Sequence, residues 1–422
     1  MASRRTFLKL AAAAGVAPSL APSVVTAQNA AEVVVVGGGF AGATCARWLK
    51  KLAPTLSVTL VEPNPTYTAC PFSNDVLAGR RELDQQQFGY DGLKRAGVVV
   101  AQTAATAIDT SAKSVTLAGG ARLAFDRAVV APGVDMNWTA LPGYSEAAAE
   151  KMPHAWKAGP QTALLRRQLE AMDDGGLVVI AAPAVPYRCP PGPYERAGLI
   201  AWYLKNKKPK SKVLILDAKD AFSKQRLFQN AWAQLYPGLV EWVPLSQGGN
   251  VASVDAATMT VSTDFEKYKA AVANVIPPQR AGAIATQAGV ADRTGWCPIE
   301  PVAFESILQP GIHVLGDAGI MGAMPKSAFA ANAQAKVCAA AIVAKLAGRA
   351  PQEPRLINTC YSLAAPDYGF SIAGVYQPDK GQLLEVPGSG GISPIEADAS
   401  FRQQEARYAE SWFATITGEV FG

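Results

Sequence analysis

Residues 33–42 read VVVVGGGFAG, and this short stretch decides the fold. Its four consecutive β-branched residues predict a strand that is buried on both faces, as strands of parallel sheets are. Gly37, Gly39 and Gly42 follow in a G-x-G-x-x-G pattern, and an amphipathic helix is predicted to run on to about Leu52. Glycines between a strand and a helix let the backbone approach a pyrophosphate at the helix N-terminus, so the stretch predicts a dinucleotide-binding turn.

The next segment supplies the acidic residue that such a turn needs. Ser57 to Val61 predicts a second strand, which ends at Glu62. An acid roughly 20 positions beyond the glycines is where the ribose hydroxyl of a dinucleotide finds an acceptor. The alternative is an accidental glycine turn, which leaves the order of strand, helix, strand and acid unexplained.

Two later stretches extend this pattern. Residues 128–133, AVVAPG, predict an apolar strand that ends in a small-residue turn at Gly133. Residues 311–318, GIHVLGDA, predict a strand that delivers Asp317 to its carboxyl end, where ligands of open α/β sheets bind. In this order the three segments resemble the FAD-contacting segments of flavoproteins related to glutathione reductase. The resemblance implies an α/β fold with two Rossmann-like dinucleotide-binding domains.

The middle of the chain repeats the strand-helix-strand order without the glycines. Leu177 to Ile180 and Val213 to Leu216 predict strands, and a helix is predicted from about Tyr194 to Lys205. Between the first strand and the helix, residues 181–193 read AAPAVPYRCPPGP. Prolines lack amide donors and bulky side chains block a pyrophosphate, so a nicotinamide is not expected as the electron donor.

Composition excludes several classes of function. With 422 residues, 49% of them hydrophobic, the chain is long enough for more than one domain. The formal charge is +5, but Arg4, Arg5 and Lys9 precede the first acid, Glu32, which leaves about +2 for the rest and does not suggest nucleic acid as a partner. Two histidines and six cysteines without C-x-x-C spacing predict no metal site and no haem attachment on this chain.

The N-terminus predicts export. Residues 3–9, SRRTFLK, precede an alanine-rich apolar stretch and a small-residue cleavage site, Val25-Thr26-Ala27. Residues 1–30 therefore resemble a twin-arginine export signal, which implies a periplasmic location; a basic helical tail of mitochondrial type is the alternative. The apolar run from Val337 to Leu346 is interrupted by lysine and falls short of the roughly 18 residues of a membrane span, so no span is expected.

The six cysteines differ in their expected roles. Cys45 and Cys338 lie on predicted helices and are expected to be small packing residues. Cys297 precedes the Asp317 segment and is also expected to pack, with an approach to a flavin as the alternative. Cys70 lies eight positions beyond Glu62, where the chain passes near a flavin ring, and can be a redox partner, a covalent tether or a filler.

Cys189 and Cys360 are candidate reactive thiols. Cys189 follows Arg188 and precedes a proline-opened helix, and both features are expected to lower its thiol pKa and favour the nucleophilic thiolate. Cys360 lies in the polar sequence NTCYS, residues 358–362, which is interpreted as a loop. An ordinary structural disulfide is the alternative for these residues in an oxidising compartment.

These motifs together resemble one family, the flavoprotein subunit of flavocytochrome c sulfide dehydrogenase, over essentially the whole chain. The strings that carry the resemblance are CPPGPYERA at 189–197, PPQRAG at 277–282, MPKS at 324–327 and NTCYS at 358–362.

The resemblance implies specific roles for residues. It implies a thioether between Cys70 and the flavin, a redox-active disulfide between Cys189 and Cys360, and Glu195 as the acid/base group. Glu195 is otherwise a glutamate that satisfies the dipole of a helix start. Lys326, before a helix that begins near Ser327, is a candidate to stabilise reduced flavin, with a surface lysine as the alternative.

The resemblance also implies partners and domains. FAD is the expected cofactor, sulfide the substrate, and a c-type cytochrome subunit with haem c the electron acceptor in a heterodimer. The expected domains are an export signal at 1–30, an FAD domain at 31–143 and 284–354, a second Rossmann-like domain at 144–283, and a C-terminal α+β interface domain at 355–422.

Two rival functions stay open. A sulfide:quinone oxidoreductase has similar flavin segments and a comparable cysteine pair, but it is expected to carry an apolar C-terminal membrane anchor. The tail from Phe401 to Gly422 is instead mixed, aromatic and charged. The other rival is a non-catalytic subunit that binds flavin and the cytochrome.

Overall fold

The glycine stretch lies between a buried parallel strand and a helix, as predicted. The computed structural model describes residues 30–422, so the predicted export signal falls outside the described residues except for its last position. The first part of the chain forms β1 (Glu32–Val36), α1 (Phe40–Leu52), β2 (Ser57–Val61), β3 (Thr66–Thr68), α2 (Ser73–Leu77), β4 (Gln87–Gly89), α3 (Asp91–Arg95), β5 (Val99–Ala101), β6 (Ala105–Asp109), β7 (Ser114–Leu117), β8 (Arg122–Ala124), β9 (Arg127–Val130) and β10 (Val134–Met136).

The middle part contains a second set of alternating strands and helices. Its elements are α4 (Glu146–Ala149), α5 (Pro160–Ala171), β11 (Leu177–Ala182), α6 (Gly192–Lys207), β12 (Lys212–Asp217), α7 (Gln225–Leu235), β13 (Val240–Val243), β14 (Val251–Asp255), β15 (Thr260–Thr263), β16 (Lys267–Lys269), β17 (Val272–Val275), β18 (Gln279–Ala281) and α8 (Ala283–Gln287).

The last part returns to the first sheet and then adds a separate one. Its elements are β19 (Cys297–Glu300), β20 (Glu305–Ser306), β21 (Ile312–Val314), β22 (Gly319–Ile320), α9 (Ala328–Leu346), β23 (Leu356–Ala365), β24 (Tyr368–Asp379), β25 (Gln382–Glu385), β26 (Gly391–Ile392) and α10 (Ala399–Phe421).

The largest sheet has the strand order β22-β19-β20-β21-β9-β1-β2-β5. Its centre is parallel, with β1 paired to β2 on one side and to β9 on the other, and β9 paired to β21. Residues 33–36 are buried because both faces of this central strand are covered, which is why the sequence there is β-branched without polar interruptions. The carboxyl ends of β1, β9 and β21 therefore lie side by side.

The second sheet, in the order β13-β12-β11-β17, is parallel throughout. Together with the first sheet it confirms the predicted α/β fold with two Rossmann-like units. Residues 31–422 form one compact unit. β23 and β24 form a long antiparallel hairpin in the C-terminal region, and α10 packs on it.

Helix α9 is the one helix in residues 30–422 that is long and apolar enough to cross a membrane. Half of its apolar window is buried inside the protein, and the helix packs against α1. Core helices meet the same criteria of length and composition. Cys338 on α9 and Cys45 on α1 are both fully buried in the core, which confirms their expected packing role.

Candidate active site

A cavity of about 600 Å³ opens at the carboxyl ends of β1, β9 and β21. This is the position at which open α/β sheets bind ligands. Nine of the predicted site residues lie in its wall, namely Gly37, Gly39, Glu62, Cys70, Gly133, Cys189, Glu195, Asp317 and Cys360. The other two predicted site residues, Gly42 and Lys326, do not line the cavity.

The glycine turn is built for close approach of the backbone. Gly37 has a φ of 104°, and its N–H donates to Val61 O at 3.0 Å. A Cβ at Gly42 would lie 1.9 Å from Gly37 O, so only glycine allows α1 to pack against the turn. No side chain caps the N-terminus of α1 at Gly39, which leaves the first amides of the helix free to bind an anion.

Glu62 is held at the end of β2 by backbone and side-chain donors. Its Oε2 accepts from Gly38 N at 2.8 Å, and its Oε1 accepts from Asn64 N at 3.0 Å and from Asn64 Nδ2 at 2.7 Å. The carboxylate therefore faces the cavity beside the glycine turn, where an acceptor for a ribose hydroxyl is expected.

Asp317, which follows β21, offers a buried hydrogen-bond acceptor. Its Oδ1 is buried and has no hydrogen-bond partner among the described residues, whereas a buried polar atom normally has one. Burial raises the pKa of this carboxyl, although the positive charges of Arg188 and Lys326 act against burial. An acceptor left open in the cavity wall fits a ligand that brings a hydroxyl or amide donor.

Lys326 is not a surface lysine. Its Nζ donates to Asp317 O at 2.8 Å and to Gly319 O at 2.6 Å, and it lies 4.1 Å from the centre of the Trp296 ring. Burial lowers its pKa to about 8. Ser327 caps α9 by accepting from Ala330 N, as the predicted helix start requires. A direct contact of Lys326 with a cofactor stays a prediction.

Cys189 lies in the loop between β11 and α6, with a φ of 58° and its N–H donating to Lys326 O at 2.9 Å. The prediction that its surroundings lower the thiol pKa is wrong. Burial raises the pKa of Cys189, as do the charges of Glu195 and Cys360, and Lys224 and Arg188 only partly offset this. Desolvation of the thiolate outweighs the neighbouring cations here.

Cys360 lies within strand β23, so its placement in a loop is also wrong. Asn358, Cys360 and Ser362 share one face of the strand because every second side chain of a strand does. Cys360 Sγ accepts a hydrogen bond from Asn358 Nδ2 at 3.2 Å, and Asn358 Oδ1 accepts from Ser327 Oγ at 2.6 Å. The strand has a polar inner face, which in the sequence is indistinguishable from a loop.

The cavity brings Cys189 and Cys360 into one wall although 170 residues separate them in the chain. All six cysteines are free thiols in the structure. Glu195 lies in the first turn of α6 in the same wall, where its Oε1 accepts from Leu363 N at 2.9 Å and its Oε2 from Asn74 Nδ2 at 3.0 Å. Burial raises the pKa of Glu195 to about 7, against the effect of the Leu363 amide.

Comparisons of sequence point to one family. Two of its profiles match the chain: "sulfide dehydrogenase (flavocytochrome c) flavoprotein chain, central" over residues 162–277, and "flavocytochrome c sulphide dehydrogenase, flavin-binding" over residues 352–421. A pyridine nucleotide-disulphide oxidoreductase profile matches residues 31–171. The sulfide dehydrogenase (flavocytochrome c) flavoprotein chain of Chlorobaculum thiosulfatiphilum is 64% identical over 45 residues, which are 11% of this chain and 94% of that sequence.

The chain belongs to the flavocytochrome c sulfide dehydrogenase flavoprotein family. Mitochondrial sulfide:quinone oxidoreductase of Mus musculus is 22% identical over 314 residues, covering 69% of this chain and 66% of that one. The structure of sulfide:quinone oxidoreductase from Aquifex aeolicus has a TM-score of 0.70 at 17% identity and covers 92% of both chains. A chain of the covalent putidaredoxin reductase–putidaredoxin complex has a TM-score of 0.65 at 17% identity, with 91% and 94% covered. These structures share the fold, that of flavoprotein oxidoreductases.

The cavity fits the FAD of a flavocytochrome c sulfide dehydrogenase flavoprotein. Gly37 and the free amides of α1 suit the pyrophosphate, Glu62 suits the ribose, and the open Oδ1 of Asp317 suits a donor farther along the cofactor. Cys70 lies in the same wall, with its Sγ 3.8 Å from Trp156 O. The flavoprotein chain is therefore an FAD-binding oxidoreductase.

Lys224 is a functional candidate that the sequence did not reveal. It precedes α7, and its Nζ donates to Cys360 O and to Ser362 Oγ, both at 2.7 Å. A lysine before an amphipathic helix predicts an exposed side chain, and no local pattern shows that β23 will cover it. In this flavoprotein fold the contact joins the second Rossmann-like unit to the C-terminal sheet.

Proposed function

We propose that the chain oxidises sulfide through a bridge between Cys189 and Cys360 and passes the electrons, by way of FAD, to a c-type cytochrome subunit. The observation that supports this is that both cysteines and Glu195 lie in the wall of the cavity that holds the glycine turn. A loop of prolines and bulky side chains follows β11 where a nicotinamide site needs glycines, so a sulfur donor replaces the nicotinamide.

The bridge is the electrophile for hydrosulfide. Hydrosulfide attacks one bridge sulfur, the S–S bond breaks, and the other sulfur leaves as a thiolate, so that one cysteine now carries a persulfide. A second hydrosulfide attacks the outer persulfide sulfur, which departs as disulfane and frees the second thiolate. The two thiolates then lose an electron pair and their S–S bond forms again. Two hydrosulfides thus yield one disulfane anion, one proton and two electrons.

Glu195 is the group that takes the proton. Its carboxyl is held by Leu363 N and Asn74 Nδ2 in the wall that carries Cys189. A pKa of about 7 lets it gain and lose a proton near neutral pH, as a general base should.

FAD, when bound, supplies the two-electron acceptor and passes electrons onward singly. Gly37, Glu62 and Asp317 would hold it, and we assign Cys70 as the thioether tether. The Cys70→Ala variant is expected to release its flavin on acid precipitation, whereas the wild-type protein and a Cys297→Ala control keep theirs. Flavin that is already extractable from the wild-type protein contradicts the tether.

A haem that accepts the electrons one at a time would be carried by another chain, because this sequence has no haem-attachment motif. A c-type cytochrome in a heterodimer meets this need, and export to the periplasm by the N-terminal signal would bring the two subunits together. A haem-staining subunit is therefore expected to co-purify with this chain from periplasmic extract.

Stopped-flow absorbance tests the cysteine pair. Sulfide is expected to bleach the flavin absorbance of the wild-type protein and of a Cys338→Ala control, and to leave it unchanged in Cys189→Ser and Cys360→Ser. Each of those variants lacks one sulfur of the bridge, so hydrosulfide has no S–S bond to attack. Normal bleaching in either serine variant excludes the proposed route.

A sulfide:quinone oxidoreductase is the second candidate. The match to the mouse enzyme of that name over 314 residues favours it. Steady-state assays with sulfide separate the two functions, because reduction of cytochrome c without reduction of a soluble quinone supports the first, and the reverse supports the second.

A further inference from the structure

Lys224 places a buried positive charge against the backbone of Cys360. The residue adopts a left-handed backbone conformation, with a φ of 62°, where the chain enters α7, and only 5% of it is exposed. Its ammonium donates to Cys360 O and Ser362 Oγ on strand β23. A buried ammonium is costly unless hydrogen bonds and negative charge compensate it, so its presence here needs an explanation.

The ionisable groups that face Lys224 come from three elements and one loop. Besides Cys360 on β23, they are Glu195 on α6, Cys189 in the loop before α6, and Glu405 on α10, while the ring of Phe370 on β24 lies 5.8 Å from Nζ. Burial lowers the pKa of Lys224, and all four groups act against burial. No carboxylate lies within 4.0 Å of its Nζ in residues 30–422, so the ammonium is not committed to an ion pair.

We propose that Lys224 is the positioning residue of the cysteine pair: it holds the Cys360 segment of β23 and supplies the positive charge that stabilises the thiolates of reduced Cys189 and Cys360. This inference rests on the proposed function, because it concerns the same bridge between Cys189 and Cys360. The cation acts through the backbone and through space, since Lys224 is not part of the cavity wall.

The charge has a defined effect on the bridge. A dithiol reductant gives up two electrons and closes its own ring disulfide. The S–S bond between Cys189 and Cys360 breaks, and the two cysteine sulfurs take up those two electrons. A nearby cation favours the thiolates over the thiols and so favours the reduced pair. Without Lys224, only part of the opposition to burial and to the charge of Glu195 remains at Cys189, namely that of Arg188, so its thiol pKa rises further.

The test compares neutral and charged replacements in the full-length flavin-loaded protein. Lys224→Gln keeps a donor without the charge, Lys224→Met removes both, and Lys224→Arg keeps the charge. Lys205→Gln is the matched control, because Lys205 also donates to a backbone carbonyl, Leu235 O, but on the exposed side of the same domain.

Two measurements report the charge directly. After reduction with dithiothreitol, the rate of iodoacetamide labelling at each cysteine is followed by peptide mass spectrometry between about pH 6 and 10, which brackets an ordinary thiol pKa. Labelling of Cys189 and Cys360 near neutral pH is expected to fall about tenfold in the neutral variants and to stay unchanged in the arginine and control variants. At a pH above the thiol pKa, where the reduced pair is ionised, the reduction potential of the bridge is expected to become more negative by about 30 mV for each tenfold change.

The outcomes separate this inference from the proposed function. A labelling profile that is the same in the wild-type protein and in whichever neutral variant folds overturns the role of Lys224. An arginine variant that behaves like the neutral ones also overturns it, because the charge is then not what matters. Sulfide is absent from both measurements. If sulfide fails to bleach the wild-type flavin, the proposed function is contradicted, and the thiol measurements still report on Lys224.

Discussion

Glu195 shows how burial sets chemistry at the scale of one residue. Its raised pKa means that the carboxylate, the form that accepts a proton, is present above about pH 7 and is lost below it. The rate of sulfide-dependent flavin reduction is therefore expected to rise as the pH passes through about 7. Cys189 shows the same physics, because burial favours its neutral thiol over the thiolate that its sequence neighbours suggested.

The Glu195→Gln variant tests this assignment. Glutamine can still accept from Leu363 N but cannot take a proton, so flavin reduction is expected to slow by about 10²–10⁴-fold. Stopped-flow rates across the pH range, measured in parallel for both proteins, isolate Glu195, because any titration of sulfide itself appears in both profiles. A variant that keeps the wild-type rate and profile removes Glu195 from proton transfer.

At the scale of elements, the sequence predicted best where burial leaves a simple pattern. Strand β2 has the predicted bounds, α1 ends at the predicted Leu52, and α9 begins after Ser327 as expected. Strand β23 was missed because its inner face carries Asn358 and Ser362 rather than apolar residues. Asn358 donates to Cys360 Sγ, and Ser362 accepts from Lys224. The bond from Lys224 is a tertiary contact, which a local sequence pattern cannot predict.

The Gly42→Ala variant tests the joint between β1 and α1. The new methyl group would meet Gly37 O, so the helix or the turn must move, at a cost of about 1–3 kcal/mol and with loss of FAD binding. Gly89→Ala is the control, since nothing lies within 4 Å of a Cβ at that position. Thermal denaturation and flavin content are the measurements, and a variant with a full complement of flavin contradicts the assigned role of this glycine.

At the scale of the whole molecule, the last helix packs against the first dinucleotide-binding turn. Phe421 on α10 lies 5.8 Å from Phe40, 5.5 Å from Tyr67 and 5.4 Å from Phe88, measured between ring centres. Tyr67 in turn packs beside Gly39. The region that matches the flavin-binding profile, 352–421, therefore supports the cofactor site from behind as well as supplying Cys360 to its wall.

The Phe421→Ala variant is expected to lose about 3–5 kcal/mol of folding free energy, because it leaves a cavity among the rings of Phe40, Tyr67 and Phe88. That cavity lies against the turn and Tyr67, so the variant is also expected to retain less flavin than the wild-type protein after gel filtration. Phe401→Ala, on the same helix but 40% exposed, is expected to change neither quantity appreciably. If Phe421→Ala lowers the melting temperature while flavin content stays complete, α10 stabilises the fold without shaping the cofactor site.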